Sequence, residues 1–277
     1  MMQILVDSGA TKAEWCVLDG TKVRDRFVTP GINWASQSRR LSGKTLQQAA
    51  ERCLRTAGDP SGVQVHFFGA GLLEGEAPLQ AVFPGAGIEA ASDLVGAARA
   101  VCAHVPGIAC ILGTGSNTCD YDGERIVSNV HPCGFILGDE GSAASLGKRF
   151  LGAYLKGLVP EEVAKDFSAR YPDSGYADVV GEVYRGAAPA RYLGSFAPYI
   201  VGWYGRNDWM TRLVEGNFRD FIDLFLRQYD LTGKEIGVVG GFGYACREIL
   251  QKVGADLPFG RFLAAPMDGL IDYYAYD

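Results

Sequence analysis

Three times in this chain a short apolar run stops at a glycine-rich turn, and that recurrence most limits how the chain can fold. Ile4-Leu5-Val6 runs into Asp7-Ser8-Gly9-Ala10-Thr11-Lys12, Ile108–Leu112 into Gly113-Thr114-Gly115-Ser116-Asn117, and Ile236–Val239 into Gly240-Gly241-Phe242-Gly243. Runs this short, rich in β-branched residues and bounded by glycine, read as buried strands. Strand, turn and helix repeating along one chain predict an α/β fold. With 277 residues, 48% of them hydrophobic, there is material for two cores of ordinary size.

The pattern between the turns fills in the elements. Trp15, Val17, Val23 and Phe27 alternate about Asp19-Gly20, a dipeptide suited to a tight hairpin. A second hairpin is expected at Asp122-Gly123. Cys16, Leu18, Asp19, Gly20 and Val23 align with Cys119, Tyr121, Asp122, Gly123 and Ile126 at a constant offset of 103, which also sets Thr11 on Thr114. This faint repeat suggests two related hairpin-led halves. Leu46, Ala49, Ala50, Cys53 and Leu54 have helical spacing, predicting a helix over 42–57 with Ser42 as N-cap and Leu41 and Leu46 as a hydrophobic staple. Val63–Phe68 and Ile88–Ser92 read as strands, the second opening into a helix at Asp93. Beyond Gly138 the chain turns helical, with Leu146, Phe150, Leu151, Tyr154, Leu155 and Leu158 on one face and mostly helix over 160–230.

Composition removes several classes of function. A net charge of −6 gives no electrostatic reason for nucleic acid or an anionic membrane as partner. The N-terminus lacks the features of a secretory signal and no apolar run is long enough to span a bilayer, so a cytoplasmic protein is expected. The seven cysteines (16, 53, 102, 110, 119, 133 and 246) form no Cys-x-x-Cys, and there are three histidines. They read as reduced apolar residues. Chemistry must therefore rest on carboxylates, hydroxyls and backbone amides.

Glycine lets a backbone approach an anion closely, and successive amides with a Ser or Thr hydroxyl can hold phosphate oxygens. An aspartate at a strand end, such as Asp7, can hold Mg²⁺ through water. An ordinary tight turn explains each segment in isolation equally well; three in this order are harder to dismiss. Asp93 and Asp139 both precede or open helices, where capping and the helix dipole favour an acid whatever its function. That dipole is expected to keep Asp93 ionised. Gly69-Ala70-Gly71 with Glu89 superficially resembles a dinucleotide fingerprint, but Glu74 stands where its third glycine belongs.

Asp7–Trp15 (DSGATKAEW), Gly113–Asn117 (GTGSN), Gly134–Ser142 (GFILGDEGS) and Val238–Tyr244 (VVGGFGY), closing with Ala265–Leu270, resemble the BadF/BadG and N-acetylglucosamine kinase branch of the actin-like, hexokinase-type ATPases. The resemblance runs nearly end to end. It implies two ribonuclease-H-like α/β domains around an interdomain ATP cleft: 1–106, with 267–277 packing back on it, and 107–266 with a helical insertion. It implies an ATP-dependent kinase phosphorylating an amino sugar, with N-acetylglucosamine as acceptor and its 6-phosphate as product, using ATP and Mg²⁺ as a homodimer. By that resemblance Ser8, Gly9, Ala10, Thr11, Lys12, Gly113, Thr114, Gly115, Ser116, Gly240, Gly241 and Tyr244 hold ATP. Asp7 holds the metal, Asn33, Asn117, Gly134 and Asp139 face the sugar, and Asp93 is the catalytic base with Asp139 its rival. Cys133 stands where a relative has tryptophan. Two alternatives remain at this level: an iron–sulfur ATPase activator of a CoA-dehydratase or reductase, and a sugar- and ATP-binding regulator without catalysis.

Overall fold

The computed structural model describes residues 1–9, 12–34, 39–69 and 75–275. Ala10, Thr11 and residues 70–74, including most of the Gly69–Glu74 segment, lie outside them. The chain divides into two compact units, one formed by Met1–Gly107, Tyr121–Ile126 and Ala265–Asp277, the other by Ile108–Asp120 and Val127–Ala264.

The first sheet comprises β1 (Met2–Ser8), β2 (Lys12–Asp19), β3 (Lys22–Pro30), β4 (Val63–Gly69) and β5 (Gly87–Ala91) in the order β3-β2-β1-β4-β5. The meander β1–β2–β3 is antiparallel, whereas β4 runs parallel to β1 and β5 parallel to β4. The second sheet comprises β6 (Gly107–Leu112), β7 (Ser116–Tyr121), β8 (Ile126–Ser128), β9 (Glu235–Val239) and β10 (Phe259–Leu263) in the order β10-β9-β6-β7-β8. Taken from its other edge it becomes β8-β7-β6-β9-β10, the order of the first sheet, with β9 and β10 parallel as β4 and β5 are. The hairpin repeat in the sequence is thus a repeat of topology: β2 and β7 are equivalent strands, ending at Asp19 and Tyr121.

Trp15, fully buried, stacks on Phe27 with ring centroids 6.0 Å apart, fixing the meander's core face. Val23, expected to share that face, is 43% exposed, since β3 is the sheet's edge and a register shift between Val17 and Leu18 breaks the alternation there. The first long helix spans Arg39–Ala57, so Ser42 lies inside it rather than capping it. Leu41 is 58% exposed, and the expected staple to Leu46 is absent. Leu46, Ala49, Ala50 and Cys53 are buried in the core as their spacing requires. Helices Glu161–Arg170, Tyr176–Arg185, Pro189–Gly194, Ala197–Gly202 and Asp208–Leu224 account for the helical stretch of the second unit. Strand β10 had no clear signal, having partly exposed residues and no alternation. No helix among the described residues is long and apolar enough to cross a membrane.

Close backbone approaches set the helix that carries Asp93. Helix Asp93–Cys102 lies so near β4 that a Cβ on Gly96 would fall 2.8 Å from the Phe68 side chain. Helix Met267–Ala275 lies so near the same helix that a Cβ on Gly269 would fall 2.3 Å from the Ala100 carbonyl oxygen. Beneath them, Glu89 accepts from Tyr274 Oη at 2.9 Å and pairs with His66 Nδ1 and Arg99 Nη1, each at 2.7 Å. Burial alone would raise the Glu89 pKa, but these hydrogen bonds and the guanidinium hold it at about 2. Its role is structural. The Gly269→Ala variant is expected to lose about 1–3 kcal/mol in urea unfolding, because the clash is with backbone and cannot be relieved by a side-chain rotation; an unchanged midpoint would show that the two helices can separate freely.

Candidate active site

The first unit gathers three carboxylates near the carboxyl ends of its parallel strands. Asp7 is the penultimate residue of β1 and sits opposite Glu14 of β2 and Phe68 of β4. Phe68 in turn pairs with Ala91 of β5, and Asp93 follows β5 by two residues. Glu14 is buried but neutralised by Arg26 Nε at 2.6 Å, and Arg26 also pairs with Asp268. Among the described residues, Asp7 and Asp93 have no cation at ion-pair distance. Burial, then Asp93, then Glu14 push Asp7 up to about 7, against a smaller opposing pull from Lys12. Burial also raises Asp93, and the helix-start amides of Leu94 and Asp93 itself only partly oppose it. The helix start thus works against burial here without cancelling it, because losing water costs an ionised carboxylate more than two amides return. Ser92, not Asp93, is the N-cap, accepting from Val95 N at 3.4 Å.

The β1–β2 turn is tight, with Gly9 N donating to Lys12 O at 3.0 Å. The Ser8 hydroxyl is fully buried and both donates to Ile32 O (3.0 Å) and accepts from Ile32 N (2.9 Å). It fixes the loop that carries Asn33, itself 9% exposed, instead of facing solvent. Asp7 suits a magnesium ion in one respect: a carboxylate raised by burial and by the neighbouring Asp93 is relieved by a cation. Mg²⁺ commonly takes only one or two protein carboxylates and completes its shell with water and phosphate. No group of three or more His, Cys, Asp or Glu able to hold a metal occurs among the described residues.

In the second unit, the turn after β6 is tied to the helix Ala143–Tyr154. Ala143 N and Ala144 N donate to Gly113 O and Thr114 O at 3.0 and 3.1 Å, and Gly113 N donates to Gly115 O at 2.9 Å. Among the described residues the amides of Thr114 and Gly115 have no acceptor. Asp139, 8% exposed, accepts from Ser116 N at 3.4 Å, and a Cβ on Gly115 would come within 3.1 Å of its Oδ2. Burial raises Asp139, offset by the Ser116 amide, raised further by Glu140 and lowered by Lys148. Ser142 caps the following helix through Ser145 N, so Asp139 is not the N-cap its sequence position also allowed. The Ser116 hydroxyl is buried without a partner.

Beside this turn lies a cavity of about 470 Å³ whose wall includes Gly113, Thr114, Gly194, Ala197, Gly241 and Phe242. Gly240 has φ of +127° and comes so near β6 that a Cβ would fall 2.3 Å from Leu112 O, which leaves glycine as the residue that fits. Gly240 and Tyr244 are not in the wall; Tyr244 is 41% exposed with Arg247 stacked 5.0 Å from its ring centre. Sequence reasoning missed Gly194, Ala197 and Phe242. The first two lie on separate short helices, Pro189–Gly194 and Ala197–Gly202, with no motif to mark them.

Residues 131–142 take an unusual path, with Cys133, Gly134, Asp139 and Gly141 all at positive φ. Gly134 opens a short helical turn and Gly138 N closes it on Gly134 O at 2.8 Å. Asn117, by contrast, spends its Oδ1 locally, accepting from Thr118 N and Asn129 Nδ2, each at 2.9 Å.

Two five-stranded sheets of one strand order, each with a glycine turn after its first strand, define the actin-like, hexokinase-type ATPase fold. A solved protein of Porphyromonas gingivalis, described as a candidate N-acetylglucosamine kinase, is 37% identical, with a TM-score of 0.90 and coverage of 100% of this chain and 99% of that one. The chain belongs to the same family as this protein. A Chromobacterium violaceum protein of like description (18% identity, TM-score 0.78, covering 99% and 98%) shares the fold. So does a Streptomyces griseus ROK-family glucokinase solved with glucose and AMPPNP (15% identity, TM-score 0.54, covering 100% and 99%). No family model and no curated protein matches the chain.

The raised Asp7 makes a pH prediction. Its folded pKa of about 7 lies above the ordinary 3.8, so the folded state holds the proton more tightly and stability falls as pH rises between those values. Asp7→Asn removes this loss. Its stability advantage over the parent chain should grow from pH 5 to pH 8 to at least about 1 kcal/mol in urea titrations without metal; a gap that shrinks with pH would reverse the assigned sign.

Proposed function

We propose that this chain is an ATP-dependent sugar kinase and that its acceptor is an amino sugar, N-acetylglucosamine, converted to the 6-phosphate. Asp93 carries the reading: a partly exposed carboxylate with a raised pKa, held at a strand-to-helix corner by close-packed glycines and without a cationic partner. A structural acid would be paired, as Glu14 and Glu89 are. The choice of acceptor is supported by the description of the Porphyromonas gingivalis relative.

Phosphoryl transfer needs positioning, charge stabilisation and an acceptor for one proton. In the proposed reaction Asp93 takes the proton of the sugar hydroxyl while its oxygen bonds to the γ-phosphorus. The bond from that phosphorus to the β–γ bridging oxygen breaks, and ADP leaves with the electron pair. The free amides of Thr114 and Gly115 suit phosphate oxygens, and the small-walled cavity next to them suits the base and ribose. Lys12 and the turn at 9–12 add further phosphate contacts in this scheme. Asp7 would hold magnesium, which when bound neutralises phosphate charge. Asn33 and Gly134 are assigned to the sugar, while Asn117, engaged locally, shapes the site from behind. Asp139 is better suited to bracing the Gly115–Ser116 turn than to accepting the proton, since Ser116 N already occupies its Oδ1.

Purified protein with Mg-ATP should release ADP when N-acetylglucosamine is added, and Asp93→Asn should lower kcat by about 10²–10⁴-fold. If a panel of amino sugars and muramic-type sugars elicits no ADP, the kinase assignment fails. Filling the cavity should act on the other substrate. Ala197→Leu is expected to raise the KM for ATP about tenfold while leaving that for the sugar within twofold, as steady-state kinetics would show. Equal effects on both would remove the cavity from the nucleotide site.

A further inference from the structure

The segment from His131 to Ser142 is irregular backbone that must keep one shape if Gly134 and Asp139 are to serve a substrate. Two of its non-glycine residues, Cys133 at φ +59° and Asp139 at φ +57°, sit in the left-handed region that L-residues avoid. Such a path persists only where its surroundings over-determine it. Within the segment, Asp139 N donates to Pro132 O at 2.8 Å and Ser142 N to Asp139 O at 3.1 Å. From outside, among the described residues, Asn217 Nδ2 donates to Ser142 O at the segment's end (3.3 Å), Ser116 N donates to the Asp139 side chain (3.4 Å), and Lys148 Nζ donates to Phe135 O in its middle at 2.7 Å.

Lys148 stands out among the lysines for what it does not do. It is part-buried on the helix Ala143–Tyr154, and no carboxylate among the described residues lies at ion-pair distance from it. A lysine removed from water without a carboxylate partner loses hydration that one carbonyl only partly returns. Its ammonium is also one of the charges that stabilise ionised Asp139. One cation therefore acts on both ends of the segment, through a hydrogen bond at Phe135 and through its field at Asp139. Ile136 and Leu137, 73% and 81% exposed, contribute little packing of their own.

We propose that Lys148 is a positioning residue for the acceptor site, holding the Gly134–Asp139 segment in its binding shape through the Phe135 carbonyl. The assignment of this segment to the acceptor rests on the kinase function proposed above; the clamp itself does not.

The chain carries its own reporter of the segment, because Cys133 is exposed and the six other cysteines are buried. Native protein should react with a disulfide-exchange thiol reagent at Cys133 alone. Lys148→Met removes the donor at nearly constant length and should raise that rate at least fivefold, while Lys148→Arg, which keeps a cation, should raise it less. With N-acetylglucosamine as acceptor, Lys148→Met should raise the acceptor KM at least tenfold and leave the KM for ATP within twofold. A Cys133 rate within twofold of the parent, in a variant whose thermal melt is cooperative, overturns the clamp. A faster rate with both KM values raised in proportion overturns the acceptor-specific role. Should Lys148→Met not fold, the same two readouts on Lys148→Arg decide, since a clamp that needs lysine's geometry predicts intermediate values of each. If the parent chain phosphorylates no sugar, the kinase assignment falls, and the Cys133 rate alone still accepts or rejects the clamp.

Discussion

The second unit is organised around an exchange of hydrogen bonds: the first amides of the helix Ala143–Tyr154 donate to the carbonyls of Gly113 and Thr114. A helix start ordinarily leaves four amides for water, a cap or an anion. Here Ala143 and Ala144 spend theirs on the turn, Ser145 spends its amide on the Ser142 hydroxyl, and Ser142 spends its own on Asp139 O. The helix end is thereby closed, and donors are presented by the turn itself, at Thr114 and Gly115. A turn whose carbonyls are locked into a helix cannot rotate its peptides, so those amides keep their direction whether or not a ligand is present. That is the preorganisation an anion site requires. The same rigidity dictates glycine at 240, where the third turn approaches Leu112 O too closely for any side chain.

The first unit solves the opposite problem. It keeps charge where charge is expensive. Several of its acids are drawn partly or wholly out of water, and two of these, Glu14 and Glu89, are paired so well that they behave as structure; Glu89 is held at about 2. Asp7 and Asp93 have, among the described residues, no cation to offset their burial, and burial raises both. Pairing either internally would stabilise the unit and end its capacity to receive a proton or a metal. Unpaired acids drawn out of water, in a unit that pairs Glu14 and Glu89, are what the proposed function rests on.

Much of this architecture was legible in the residues, and the exceptions share a cause. The meander followed from alternation about Asp19-Gly20, the strand-to-helix corner at Asp93 from the run Ile88–Ser92 and the residues after it, and the repeat from aligned hairpins. Each signal is local. What escaped depended on residues far apart in sequence: the cavity wall at Gly194 and Ala197, the buried hydroxyl of Ser8 spent on Ile32, and Lys148, which in sequence is one more lysine on an amphipathic helix. The expectation that a helix start favours ionised Asp93 likewise left out burial, which raises its pKa against the helix-start amides. Local dipoles can be read from a sequence, whereas desolvation is a property of everything packed around a group.

The duplicated hairpin sharpens what each unit can contribute. At the offset of 103 residues Thr11 corresponds to Thr114, but Asp7 corresponds to Cys110 and Lys12 to Gly115. The two copies keep the same hydroxyl and lose opposite charges together. Cys110 is fully buried within β6, so no acid remains at the strand end in the second copy. Its turn is left with amides and a hydroxyl, neutral donors that attract phosphate oxygens without competing for a metal. In the proposed kinase the first copy, with Asp7 retained, would repel a bare polyphosphate and favour one that arrives with a cation. Two topologically equivalent turns thus differ by one carboxylate and one ammonium, and in the kinase reading proposed above that difference suits one turn to anionic oxygen and the other to the ion that balances it.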